Sequence, residues 1–361
     1  MTELTTKLTS LRLLLDRHPA EAILLRRVSS FACATGGAAS YVNTATTEGA
    51  ASLVITRNKR YIATNNIEAP RLQEEEKLAE KGWEFVISPW ATPLKGLNEL
   101  LAGVTFLSDL PFGNGKDIST EISRLRAHLS PEEGLRLREL GKLCADSVTA
   151  AAHAVQPGMT EYEIAALLGE EAQRRGIQPI VNLVATDERR YRHPLPSAKG
   201  LEKYALLVLC GRQRGLVCSV SRMIHFGKVP VELERRIHAA VQVNAAFIAH
   251  SRPGMTLGAL LEIGQAAYAE AGYPFEWQHH HQGGVVGYEP REYVATPGGT
   301  DKLASGQALA WNPTVAGAKM EDTILLGEDG NIILTPTPDW PLEQVELPGL
   351  PPVSCPLALV R

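Results

Sequence analysis

One four-residue phrase occurs twice and limits the fold more than anything else in the chain. Pro157-Gly158-Met159-Thr160 returns as Pro253-Gly254-Met255-Thr256, a repeat of about 96 residues. In each copy it divides two runs whose apolar residues recur at helical spacing. Pro and Gly stop one helix, and Thr supplies a side-chain oxygen to cap the next. After the first copy, Thr160 is followed three positions later by Glu163, the signature of a capping box opening a helix over residues 160–174. On either side of the second, helices are expected over 231–250 and 257–271. A duplicated unit of this size points to pseudo-two-fold packing, with strands of both halves forming one curved sheet and a cleft between the halves as the natural place for a site.

The remainder divides near residue 130. Ahead of it, strands are expected over 20–25, 51–56, 59–64, 83–87 and 104–108, and helices over 5–17, 69–81, 97–101 and 118–129. That alternation describes a small α/β domain. It has neither a G-x-G-x-x-G opening a helix nor a G-x-x-x-x-G-K-[ST] loop, so nucleotide binding has no support there. Ser130-Pro131-Glu132-Glu133 then restarts a helix reaching about Val155. Strands follow over 180–186, 204–210 and 215–223, and later over 308–311, 320–326 and 332–335, with a turn at Glu328-Asp329-Gly330. From Pro336 the tail is proline-rich and reads as an extended surface segment.

Charge excludes some partners. Lys+Arg of 36 against Asp+Glu of 40 gives a net charge of -4, so neither nucleic acid nor an anionic membrane is expected as a partner. No run approaches the length of a membrane span. The opening Met1-Thr2-Glu3-Leu4 lacks the apolar core of a secretory leader, so a cytoplasmic location is expected. Cys33, Cys144, Cys210, Cys218 and Cys355 form no C-x-x-C pair and read as reduced, buried thiols.

The densest chemistry lies between Trp277 and Glu292, where His279-His280-His281 runs into Gly283-Gly284, then Tyr288, Arg291 and Glu292. Such a stretch suits a metal site, a proton-transfer site or an anion clamp. On a strand, His279 and His281 would face one side and His280 the other. Trp277, Tyr288 and Trp311 are candidate walls of an apolar pocket.

The duplicated P-G-M-T helices, the Tyr191-Arg192-His193-Pro194 loop, the strands around Gly215, the glycine-histidine stretch and the ending Lys319-Met320-Glu321-Asp322 together resemble the peptidase family that includes methionine aminopeptidase, aminopeptidase P, prolidase and creatinase. The resemblance covers essentially the whole chain. It implies two domains, α/β then α+β: a creatinase-like N-terminal domain over residues 1–130 and a pita-bread domain over 131–361, with a duplicated helix pair and a curved antiparallel sheet. It also implies a homodimer. Members of the family that use metal hold two divalent ions with two Asp, one His and two Glu. Carried over by position, those ligands fall on Leu209 or a neighbour, on Ser219, on Gly284 and on Asn312, with only Glu321 kept. One carboxylate cannot hold two mutually repelling cations, so no metal and no cofactor are expected.

The same resemblance makes His193 the candidate acid/base, as in creatinase, with His280 and Glu321 beside it as catalytic groups. Arg291 and Glu292 take the place of the family's H-E pair, and arginine there favours carboxylate or phosphate recognition. An Arg291–Glu321 ion pair would fill the vacated metal position, with Lys319 as the alternative partner for Glu321. His281, Tyr288, Trp311 and Lys319 complete the expected binding residues. Cys210 and Cys218 fall near the vacated ligands, but a nucleophilic cysteine needs a histidine in reach, and Ser219 has no G-x-S-x-G context. Three functions stand open: a pseudoenzyme that binds a peptide or small molecule without turnover, a metal-independent creatinase-like hydrolase of a small C–N substrate, and an Xaa-Pro metallopeptidase with unusual ligands.

Overall fold

The computed structural model describes residues 3–328 and 330–361. The chain forms two compact units, residues 1–127 with 214–216, and residues 128–213 with 217–361.

In the first unit, α1 (Glu3–Arg17) lays Leu8, Leu11, Leu14 and Leu15 into the core. There follow β1 (Ala22–Arg27), α2 (Val28–Thr35), β2 (Glu48–Thr56), β3 (Arg60–Asn65), α3 (Ala69–Glu74), β4 (Glu84–Ser88), α4 (Lys95–Leu100), β5 (Phe106–Ser108), β6 (Lys116–Asp117) and α5 (Ser119–Arg126). Among the described residues the strands make one mixed sheet, ordered β4-β3-β2-β1-β5-β6. The hairpin read at Arg57-Asn58 is the antiparallel β2–β3 pair, in which Ile55 faces Arg60. The helix expected over 69–81 stops at Glu74. Glu74, Glu75 and Glu76 would crowd negative charge at a helix C-terminus, where the backbone dipole disfavours it, and Lys77 turns left-handed at φ 52°.

The second unit opens with α6 (Pro131–Ala154) and α7 (Glu161–Arg174). Each starts with a full capping box, Ser130 with Glu133 and Thr160 with Glu163. Next come β7 (Gln178–Thr186), β8 (Tyr204–Gln213) and β9 (Leu216–His225), then α8 (Val231–His250) and α9 (Leu257–Glu270), the latter capped by Thr256 alone. A 3-10 turn (Glu276–His279) leads to β10 (Gly283–Val286), β11 (Tyr293–Val294), β12 (Ala308–Trp311), β13 (Thr314–Val315), β14 (Ala318–Lys319), β15 (Asp322–Leu326) and β16 (Asn331–Ile333). The turn expected at Glu328-Asp329-Gly330 falls partly on Asp329, outside the described residues. The tail is extended, but as paired strands. It forms β17 (Leu342–Val345) and β18 (Val353–Pro356), which pair with each other, and β19 (Leu359–Val360), which joins β9 in parallel.

Strands of the two halves form two sheets, β19-β9-β8-β7 and β11-β10-β12-β15-β16. They meet along a seam rather than running as one ladder. At the seam Ser221 bridges Glu321, with its N–H donating to the Glu321 carbonyl at 3.0 Å. The Val217 N–H donates to Gly287 O at 2.8 Å, and the Ser219 N–H to Thr323 Oγ1 at 3.0 Å. The N–H groups of Val217, Ser219 and Ser221 thus point at the neighbouring sheet. Period-two alternation on β9 puts the Ser219 and Ser221 side chains on one face, where Ser219 Oγ meets Cys210 and Ser221 Oγ meets Glu321. The described residues contain no helix long and apolar enough to cross a membrane.

Candidate functional site

Glu321 is the centre of the site. It lies just before β15, its side chain 4% exposed, and three groups hold its carboxylate. Arg291 Nη2 donates to Oε1 at 3.0 Å, the Ser221 hydroxyl donates to Oε2 at 2.8 Å, and Lys319 Nζ stands 3.6 Å from Oε2. Burial alone would raise this carboxyl, but Lys319, Arg291 and the Ser221 hydroxyl outweigh it and hold the group at about 2. Burial acts the other way on Lys319 and lowers its pKa, against the pull of Glu321. Arg291 is positioned by the connection between β10 and β11, Lys319 by the close of β14, and Ser221 by the middle of β9.

A cavity of about 130 Å³ opens beside this cluster, walled by Val181, Leu183 and Val208 and reached by Cys210, Asn312 and Arg192. His193 and His281 sit at its rim, both exposed. His193 and His280 touch through their Nε2 atoms at 3.1 Å, so one of the two must carry the proton that the other accepts. All three histidines have lowered pKa values. Partial burial is the main cause for each, and Lys319 is the next for His193 and His280, bringing His280 to about 3. His281 is brought to about 4, with Arg291 next after burial. All three are neutral imidazoles at pH 7. The Arg192–Glu276 ion pair fastens the His193 loop to the 3-10 turn, which places these rings together.

Several expectations change here. His280 and His281 do not face opposite ways, because they precede β10 rather than lying on it, and their rings stack with centroids 4.4 Å apart. Trp311 is not a pocket wall. Its ring is fully buried against Phe247 at 4.3 Å, and its N–H is spent on Ser251 Oγ at 2.9 Å. Tyr288 is also buried, its hydroxyl donating to Glu133 at the start of α6. Glu292 accepts the Tyr288 N–H at 2.9 Å, which shapes the turn that presents Arg291 instead of binding a ligand. Trp277 does not line the cavity. On β8 the side chain facing the cavity is Cys210, with Leu209 on the opposite face. Alternation along β8 from Val208 was the signal that identifies it, as alternation on β9 from Ser219 identifies Ser221.

The donor set can be tested against the two ions that the ligand pattern of the resembling family implies. Around the cavity stand Cys210, Ser219, Asn312 and Glu321, with Gly284 where an imidazole is required. The Cys210 thiol shares a 3.1 Å hydrogen bond with Ser219, and burial pushes its pKa up to about 12, so it is neither a thiolate ligand nor a primed nucleophile. At Gly284 even a methyl group would drive into the Tyr293 carbonyl on β11, so the backbone has closed over the missing side chain. These residues do not fit a paired-metal centre. His193, His280 and His281 could offer three nitrogens within 4.8 Å of one another to a single ion. Lys319 and Arg291 oppose a dication there for the same reason that they depress the histidines.

Comparison with known proteins agrees with this architecture. Residues 136–328 match the model of metallopeptidase family M24. An uncharacterized peptidase of Staphylococcus epidermidis is 24% identical over 234 residues, which is 61% of this chain and 66% of that protein. An agropine synthesis cyclase of Rhizobium rhizogenes is 24% identical over 247 residues, 61% of this chain and 62% of the cyclase. The match thus spans less than two thirds of the length of these curated relatives. Among solved structures, an Xaa-Pro dipeptidase from Bacillus anthracis superimposes with a TM-score of 0.79 at 18% identity, over 93% of this chain and 98% of that one. An X-Pro aminopeptidase from Thermotoga maritima gives 0.74 at 17%, over 98% and 99%. At such identities the likeness is one of fold.

Proposed function

Because the chain belongs to metallopeptidase family M24, we propose that it uses the family's scaffold without the family's paired metals, as a small-molecule hydrolase acting at a C–N bond by acid–base chemistry. One observation carries this reading: the one carboxylate at the expected ligand positions is already held by Arg291, Lys319 and Ser221. A carboxylate at about 2 is a feeble base at neutral pH, so Glu321 serves as counter-charge and proton transfer falls to the histidines.

Neutral His193, at the rim, takes a proton from the attacking water. The water oxygen bonds to the substrate carbon, the C–N bond breaks, and the proton passes to the leaving nitrogen. His280, in contact with His193 at 3.1 Å, holds that ring's orientation and tautomer. The cyclase relative is named for a ring closure and not for proteolysis, which supports chemistry other than peptide cleavage on this scaffold.

Binding without turnover is a second reading, and one observation favours it. The Nε2 that would accept the proton is already engaged by the other histidine. An Xaa-Pro peptidase mechanism would need ligands that the cavity does not supply. The deciding experiment is elemental analysis of dialysed protein, before and after reloading with Mn, Zn or Co, alongside amine release from small amides, ureas and guanidino compounds. Substoichiometric metal with chelator-resistant amine release is expected. Two tightly held ions per chain would overturn the proposal, and no release from any compound would leave the binding reading in its place.

A further inference from the structure

The charge around the cavity does not balance. Arg291 and Lys319 share one carboxylate, Glu321, at 3.0 and 3.6 Å, and their side chains are only 13% and 5% exposed. Two buried cations on one anion leave one positive charge uncompensated. No other lining group cancels it: Val181, Leu183 and Val208 are apolar, His193 and His281 are neutral, and Arg192 is committed to Glu276. Hydrogen bonds are missing as well. The donors Arg291 Nε and Arg192 Nη1 are buried and without a partner. Buried charge and unmade donors are both costly, and residues that assemble them around open space are arranged for something that supplies the complement.

We infer that the cavity recognises a small monocarboxylate, whose carboxylate takes Arg291 and Lys319 as its counter-charges while its hydrocarbon part lies against Val181, Leu183 and Val208. The sign of the site is inverted relative to a metal centre: a cationic cradle for an anion in place of an anionic cage for cations. A single net positive charge matches a monoanion better than a phosphate dianion, and the planar guanidinium fork suits a carboxylate. A cavity of about 130 Å³ is close to the size that holds benzene, so the ligand has roughly six non-hydrogen atoms. This inference rests on the metal-free reading and narrows it, placing the substrate among small carboxylic acids that carry the C–N bond.

The test is calorimetric titration of the full-length chain with butyrate, its neutral isostere butyramide, guanidinium and inorganic phosphate. Butyrate should bind saturably, and butyramide at least roughly tenfold more weakly, the difference a charge-assisted contact makes. Arg291→Gln and Lys319→Met should each weaken butyrate by a similar factor and leave butyramide unchanged. Arg291→Lys should recover part of the loss. The butyrate and butyramide comparison needs only the unaltered protein, so a variant that fails to fold does not remove the test. Equal affinity for butyramide, tighter binding of guanidinium or phosphate, or no saturable butyrate binding would each overturn the assignment. Metal content measured on the same sample separates the two failures. Lack of butyrate binding in metal-free protein sinks this inference alone, whereas a pair of bound ions sinks the metal-free reading with it.

Discussion

Glu321 is the residue on which the site's stability and its chemistry both depend. Its folded pKa of about 2 lies below the 4.5 of an unperturbed glutamate. A depressed carboxyl stabilises the fold fully above its unfolded pKa, and that contribution is lost as pH falls from about 4.5 towards 2. At about 1.4 kcal/mol per pH unit the contribution is on the order of 3 kcal/mol. Glu321→Gln leaves Arg291 and Lys319 facing each other with no anion between them, and breaking a buried pair in this way costs about 3–5 kcal/mol. We therefore expect urea unfolding at pH 7 to show a loss of that size, and the gap between variant and parent to narrow by pH 3, where Glu321 of the unfolded parent is protonated while the folded carboxylate is still ionised. An equal gap at both pH values would mean that Glu321 is held by packing and not by charge. Much of this cluster was legible in the sequence, because Arg291, Lys319 and Glu321 carry their charge in their letters. The choice between Leu209 and Cys210 was not. It depends on the length of the β8–β9 turn, which sets which face each residue takes.

Elements explain both what could be read and what could not. The helix pairs were plain because capping is local chemistry: Ser130 with Glu133 and Thr160 with Glu163 declare their helix starts within four residues. The short strands were opaque. β11, β13, β14 and β19 have two residues each, too few for any periodicity, and the site lies on the turns between such strands. The histidine run was misread as strand because its 3-10 turn has no sequence pattern that separates it from an extended segment. Gly284 belongs to this scale. On β10 it pairs with Val294, and a side chain there would meet the β11 backbone at Tyr293. Gly284→Ala is expected to destabilise the chain by about 1–3 kcal/mol, the usual cost of overpacking, and Gly284→His by more, without gaining a metal. Denaturant melts read beside metal analysis check both. A stable Gly284→His variant that binds metal would show that the β10–β11 backbone yields readily, and that the ligand alone was missing.

At the scale of the molecule, the family and the mechanism proposed for this chain part company. The M24 match over 136–328 and the fold shared with an Xaa-Pro dipeptidase follow from the duplicated helices and the two sheets, which take their form from packing and do not require metal. On the proposed reading the site differs because four of the five ligand positions can change while those layers stay in place. That separation is measurable as stability. A ligand at about a hundred times its dissociation constant stabilises the folded state by about 2.7 kcal/mol. For a unit of this size, 1 kcal/mol moves the melting temperature by about 2–4 °C. A protein that holds its ions tightly should therefore lose roughly 5–10 °C on chelation. For this chain we expect calorimetric melts in EDTA and in excess Mn, Zn or Co to coincide within about 1 °C. A rise with Zn that disappears in His280→Ala would instead identify the histidine cluster as a single-ion site. A rise that survives His280→Ala would place the ion among Glu321 and its neighbours. Only coincident melts support the proposal that the side-chain cations Arg291 and Lys319 stand in the metals' place.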